Sequence, residues 1–82
     1  MPTNLNAELD ARIARMVDAV AADEQHFGVL STGEKIAVAL VLDRRDLMQS
    51  ERFSYTMLEA VERLGDDWLQ SAMRVQKARN VA

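Results

Sequence analysis

The sequence lacks cysteine entirely and contains one proline and three glycines among 82 residues. Without cysteine the chain can form neither disulfides nor thiolate metal sites, and we expect it in a reducing compartment such as the cytoplasm. Proline and glycine interrupt helices, so their scarcity favours an all-helical fold. The three glycines occur where a helix is predicted to end or begin, and they are Gly28, Gly33 and Gly65.

The sequence also lacks a long apolar run and an excess of basic residues. Its longest apolar run has seven residues, whereas a membrane-spanning helix requires roughly 20. The first six residues have neither the basic nor the apolar region of a signal peptide, so we expect no membrane association. Ten basic and thirteen acidic residues are interspersed and give a net charge of −3. The basic stripe of a nucleic-acid-binding surface is missing, and we do not expect nucleic acid as the main partner.

The clearest structural signal is the segment 30–42, where a helix start leads directly into the seven apolar residues. Ser31 and Glu34 have the spacing of a capping box, in which each side chain bonds to a backbone N–H of the first turn. The apolar side chains from Ile36 to Leu42 point in every direction around the helix axis. Because such a helix must be surrounded by other protein, the pattern predicts that this helix is the centre of a small core.

Three further segments have the apolar periodicity of helices. The predicted helices are 5–25, which ends before a left-handed Gly28, and Thr32 to Arg44 or Arg45, which is followed by a short turn through Met48. The third, Tyr55–Leu64, is capped by Ser54, and its apolar side consists of Met57, Leu58, Ala60, Val61 and Leu64. The fourth runs from Asp66 or Asp67 to Lys77, and its apolar side consists of Trp68, Leu69, Ala72, Met73 and Val75. Together they predict one all-α domain over residues 1–82. We expect a small four-helix bundle, partly orthogonal, around the buried second helix.

Catalytic and metal-binding chemistry finds little support in the sequence. Asp23 and Glu34 occupy the first and twelfth positions of a calcium-binding loop, but Phe27 and Gln25 occupy the fifth and third. Two carboxylates remain for a cation that requires six to eight oxygens. The single imidazole, His26, has no cysteine to activate. We therefore expect no metal, no cofactor and no enzymatic activity.

The residue types that dominate protein interfaces point instead to a binding protein. Tyrosine and arginine are enriched among interface hot spots, and Tyr55 is predicted on the side of its helix away from Val61. Arg44, Arg45 and Arg52 follow the buried helix, and their planar guanidinium groups suit an anionic patch on a partner. The sequence thus predicts a small non-enzymatic regulator, adaptor or inhibitor that docks on another protein.

Self-association is a second expectation. If the long first helix extends beyond the bundle, Leu5 and Leu9 would be left for a second copy to cover, and a two-fold dimer would bury this contact twice.

Arginine outnumbers lysine eight to two, and alanine and valine are abundant. This bias is common in chains encoded by GC-rich bacterial genomes.

Two alternative functions remain open at this point. The last two helices, joined at Gly65, have the layout of a helix-turn-helix DNA-binding regulator. Asp66 and Asp67 argue against it, because they lie at the end that would enter the groove and meet phosphates. The outward residues predicted to contact DNA are Gln70, Ser71, Arg74 and Lys77. The other alternative is an acidic inhibitor of a nucleic-acid-binding protein, for which the net charge of −3 is weak support.

Overall fold

The computed structural model describes residues 3–50 and 53–80, and the side chains of residues 7–49 and 54–80. The four α-helices are α1 (Thr3–Ala22), α2 (Thr32–Leu42), α3 (Met57–Leu64) and α4 (Asp66–Asn80), with 3-10 helices at Glu24–Val29 and Arg45–Met48. A short antiparallel pair, β1 (Gln49–Ser50) and β2 (Phe53–Ser54), connects the second 3-10 helix to α3. The predicted small all-α bundle is confirmed. None of the helices in the described ranges is long and apolar enough to cross a membrane.

Helix α2 forms the centre of the core, as the sequence predicts. It packs against each of the other three α-helices. Residues Ile36–Ala39 and Val41 are buried, whereas Leu40 and Leu42 are half-buried. The residues that complete the core are Ile13, Val17 and Val20 of α1, Met48 of the second 3-10 helix, Ala60 and Leu64 of α3, and Ala72 and Val75 of α4.

Both ends of α2 have a defined cap. At the start, the Ser31 hydroxyl accepts from the Glu34 N–H, and the Glu34 carboxylate accepts from the Ser31 N–H, which completes the predicted capping box. At the end, Asp43 adopts the left-handed conformation (φ 55°). The helix therefore stops at Leu42, and the prediction that it continues to Arg44 or Arg45 is wrong.

The connection between α1 and α2 differs from the prediction. Helix α1 ends at Ala22 rather than near residue 25, because the Asp23 carboxylate accepts from the Gln25 N–H and starts a 3-10 helix. Gly28 lies inside that 3-10 helix. Of the described glycines only Gly65 has a positive φ, so the predicted left-handed stop at Gly28 is wrong.

Helix α3 is shorter than predicted. It starts at Met57, because Thr56 rather than Ser54 provides the capping box and pairs with Glu59. It ends at Gly65, as predicted, where φ is +85° and ψ is 164°. This backbone conformation is essentially restricted to glycine, so Gly65 sets the sharp transition into α4.

Candidate protein-binding site

A cavity of about 270 Å³ lies between the second 3-10 helix and the start of α3. We call it the Arg45 pocket, and it is lined by Arg45, Gln49, Tyr55, Thr56 and Met57. The structure thus brings together Arg45 and Tyr55, two of the residues that the sequence predicts to bind a partner. They are ten positions apart in the chain and meet because the β1–β2 pair reverses its direction between them.

Backbone hydrogen bonds fix the walls of the Arg45 pocket. The Tyr55 N–H donates to the Met48 carbonyl at 3.1 Å, which holds Tyr55 beside the 3-10 helix that carries Arg45. The hydroxyl of Thr56 accepts from the Glu59 N–H at 3.1 Å in the capping box of α3. Because both walls are tied to regular structure, the pocket is largely preformed, which lowers the entropy cost of binding.

Arg45 and Tyr55 differ in exposure, and the difference suits a binding site. Arg45 is exposed and makes no ion pair with another described residue. Tyr55 is half-buried and packs against the core, so its ring has a fixed position. A partner can therefore place an apolar group against the aromatic ring while the neighbouring guanidinium group binds an anion.

Arg44, which the sequence also predicts to bind a partner, is engaged within the chain. Its guanidinium group donates two hydrogen bonds to the Asp46 carboxylate, at 2.9 and 2.8 Å, and one to Glu24 at 3.0 Å. These bonds raise the pKa of Arg44, those to Asp46 having the largest effect. The Arg44 hydrogen bonds also lower the pKa of Asp46. The network neutralises Arg44, whereas Arg45 has no ion-pair partner among the residues whose side chains are described.

The other residues predicted to contact a partner or a second copy are Arg52, Leu5 and Leu9. Arg52 lies outside the described residues, and so does the side chain of Leu5. Leu9 is half-buried and packs against the core of the bundle. The contacts predicted for Arg44, Arg52, Leu5 and Leu9 remain predictions.

The largest cavity described, about 390 Å³, lies between α1 and α4, and its charged residues are all paired with one another. Asp10 accepts hydrogen bonds from the Arg74 guanidinium at 2.8 and 3.0 Å and from the Ser71 hydroxyl. The bond from Arg74 is the main cause of the lowered pKa of Asp10. Asp18 and Arg79 form a second pair at 2.6 Å. These contacts hold α1 against α4 and leave no unpaired charge for a ligand.

The same network corrects the predicted outward face of α4. Ser71 is fully buried because its hydroxyl points to Asp10 on α1, so it cannot contact DNA. Arg74 is engaged by the same carboxylate. Of the four residues that the helix-turn-helix interpretation requires, Gln70 and Lys77 are exposed and form no ion pair with another described residue.

Three apolar side chains of α3 and α4 are exposed at the surface of the bundle. Leu58 is 83% exposed, Met73 43% and Val61 36%. We call this surface, formed by Leu58, Val61 and Met73, the α3–α4 face. Val61 and Met73 line a cavity of about 180 Å³ whose other walls include Leu40, Val41 and Leu69. Leu58, Val61 and Met73, which are predicted on the apolar sides of their helices, are therefore exposed rather than buried in the core.

No cluster of three or more potential metal ligands occurs among the described residues. Comparisons of the chain with models of protein families, with curated proteins and with solved structures find no match. Function therefore has to be inferred from the residues and their geometry.

Proposed function

We propose that this chain is a small non-enzymatic interaction protein, a regulator, adaptor or inhibitor, that docks on another protein through the Arg45 pocket. The observation that carries the proposal is that Arg45 and Tyr55 line one preformed cavity, in which Arg45 forms no ion pair with any residue that the structure describes. The cytoplasm is the proposed compartment, since a chain without cysteine suits reducing surroundings.

The pocket favours a partner segment that carries a carboxylate next to an apolar side chain. Arg45 offers a planar fork that can bind a carboxylate through two hydrogen bonds. The nearby acid Asp46 is already bonded to Arg44, so it does not compete for Arg45. Tyr55 and Met57 provide the apolar surface beside the cation. An Asp or Glu followed by an apolar residue on the partner would match both features.

The experiment starts with affinity capture from the native host, identification of bound proteins by mass spectrometry, and calorimetric measurement of affinity for the purified partner. Arg45→Ala is expected to weaken binding about thirtyfold, the effect of losing an interface hot spot. The thermal midpoint should stay nearly unchanged, because Arg45 is exposed and makes no ion pair among the described residues.

Arg63→Ala is the matched control. Arg63 is also exposed, lies on α3 and makes no ion pair within the described part of the chain, so its removal changes the net charge equally. Its affinity should stay within about twofold of the unsubstituted chain. Equal losses of affinity for the two variants would show that net charge, and not the Arg45 pocket, causes the effect. Full affinity in Arg45→Ala would contradict the proposed site.

A further inference from the structure

The α3–α4 face requires an explanation of its own, because it exposes large apolar side chains at the meeting point of two helices. Leu58 and Val61 are three positions apart on α3 and therefore share one side of it. Across the cavity of about 180 Å³, Met73 continues the apolar surface on α4. In water such a contiguous surface is costly, and it is typical of a binding site rather than of scattered exposed residues.

Charged residues of opposite sign border this face on its two sides. At 100° per residue, Glu62 lies about 40° beyond Leu58 on α3, on the side away from Val61. Lys77 lies about 40° beyond Met73 on α4, on the side away from Gln76, which lines the cavity with Met73. The face therefore has an acidic edge on α3 and a basic edge on α4.

Neither edge charge is used inside the molecule. Glu62 and Lys77 are exposed, and neither forms an ion pair with any described residue. Other ion pairs described between helices, such as Arg74 with Asp10 and Arg79 with Asp18, link α4 to α1 on a different side. The two edge charges remain available to a molecule that covers the apolar residues between them.

We propose that a second copy of this chain covers the α3–α4 face and forms a two-fold symmetric dimer. A two-fold axis along the seam between α3 and α4 brings the acidic edge of one copy onto the basic edge of the other. Glu62 of each copy then faces Lys77 of the other, and Leu58, Val61 and Met73 become the shared centre. A face with an acid on one side and a base on the other is complementary to itself in this way.

The size of the chain agrees with a dimer of modest affinity. A stable interface buries about 800 Å² on each partner, which is roughly one seventh of the accessible surface of 5645 Å². The proposed contact therefore needs only a small part of the surface of the chain. The proposed contact uses residues other than Leu5 and Leu9, and it is separate from the Arg45 pocket, so the two proposals can fail independently.

Sedimentation velocity or light scattering over a series of concentrations tests the proposal directly. The mass should rise with concentration from 9.2 kDa to twice that value. Leu58→Asp should raise the dissociation constant of the dimer at least about thirtyfold, as expected for a central interface residue. Val29→Asp is the matched control, because Val29 is also 83% exposed but lies on the first 3-10 helix. It should leave the dimer unchanged.

Charge reversal tests the two-fold arrangement itself. Glu62→Lys and Lys77→Glu each place like charges opposite one another and should weaken the homodimer about fivefold. An equimolar mixture of the two variants restores opposite charges at both contacts, so it should form a heterodimer more tightly than either variant forms a homodimer. Both residues are exposed, so both variants should keep the helical circular dichroism spectrum of the unsubstituted chain.

A chain that stays at 9.2 kDa up to millimolar concentration would overturn the dimer. Equal dissociation constants for Leu58→Asp and the unsubstituted chain, or a mixture that dimerises no better than its components, would overturn the proposed face or its symmetry. Loss of a heterologous partner on Leu58→Asp, with a monomeric chain throughout, would assign the face to another protein instead. None of these results bears on the affinity measured for Arg45→Ala.

Discussion

Truncation of Ile36 gives the most direct test of packing around α2. Its side chain is fully buried in the helix that contacts the other three. Ile36→Val removes one buried methylene group and should lower the free energy of unfolding by about 1 kcal/mol. Ile36→Ala leaves a larger cavity and should lower it by about 3–4 kcal/mol. An 82-residue domain has a total stability of about 4–12 kcal/mol, so Ile36→Ala should remove at least about a quarter of it.

Leu42→Ala is the control on the same helix. Leu42 is half-buried at the end of α2, so its truncation should cost about 1–1.5 kcal/mol and leave no enclosed cavity. Urea titration followed by circular dichroism measures these differences. In a thermal scan, Ile36→Val should lower the midpoint by about 4–8 °C. Equal losses for Ile36→Ala and Leu42→Ala, or a loss below about 1 kcal/mol for Ile36→Ala, would refute the assignment of α2 as the centre of the core.

Four further predictions concern the helix ends and the contact between α1 and α4. In thermal scans, Gly33→Ala should stabilise by about 0.5 kcal/mol, because Gly33 lies within α2 and an added methyl group meets nothing within 4 Å. Gly65→Ala should destabilise by about 1–3 kcal/mol, because its positive φ with extended ψ strains any other residue. Thr56→Ala should cost about 1 kcal/mol through loss of the capping box of α3, while Thr56→Ser should retain it. In urea titrations, stability should fall as the pH drops below about 4, because the Arg74 hydrogen bond holds the folded pKa of Asp10 below its ordinary value of 3.8.

The sign of the pH effect follows from the direction of that shift. A lowered folded pKa means that the unfolded chain takes up the proton first, so the contribution of Asp10 is complete above pH 3.8 and disappears as the pH falls through the folded pKa. Asp10→Asn keeps an acceptor for Ser71 and removes the titration. Its acid loss between pH 5 and 3 should therefore be smaller than that of the unsubstituted chain, and an identical loss would contradict the role of Asp10.

The central helix of this fold could be predicted from the sequence, because its signals are local. The capping box of Ser31 and Glu34 and the apolar run that follows depend only on neighbours in the chain, and both are confirmed. Helix ends are harder to predict from the sequence, because competing capping residues lie within two positions of each other. Thr56 starts α3 in place of Ser54 because Glu59 lies three positions after it and completes the box. The left-handed Asp43 carries no comparable signal in the sequence.

Part of the candidate site could also be predicted. Tyr55 and Arg45 were identified by residue type alone, because aromatic and arginine side chains outside a predicted core are candidate interface residues. That they line one cavity depends on the reversal of the chain at β1 and β2, which two-residue strands do not encode in any periodic pattern. The neutralisation of Arg44 by Glu24 is likewise a contact between residues twenty positions apart.

The α3–α4 face shows that the apolar periodicity of a helix does not by itself predict which residues are buried. An apolar stripe predicts which side of a helix avoids water, but burial also requires a neighbour on that side. On α3 the apolar residues extend from Leu64 and Ala60, which are buried in the core, around to Val61, which is 36% exposed, and Leu58, which is 83% exposed. The apolar arc of α3 is therefore wider than the side that the rest of the bundle covers. Exposed apolar residues of this kind are expected at a surface that a second molecule covers. The opposite charges of Glu62 and Lys77 at its edges favour a second copy of the chain as that molecule.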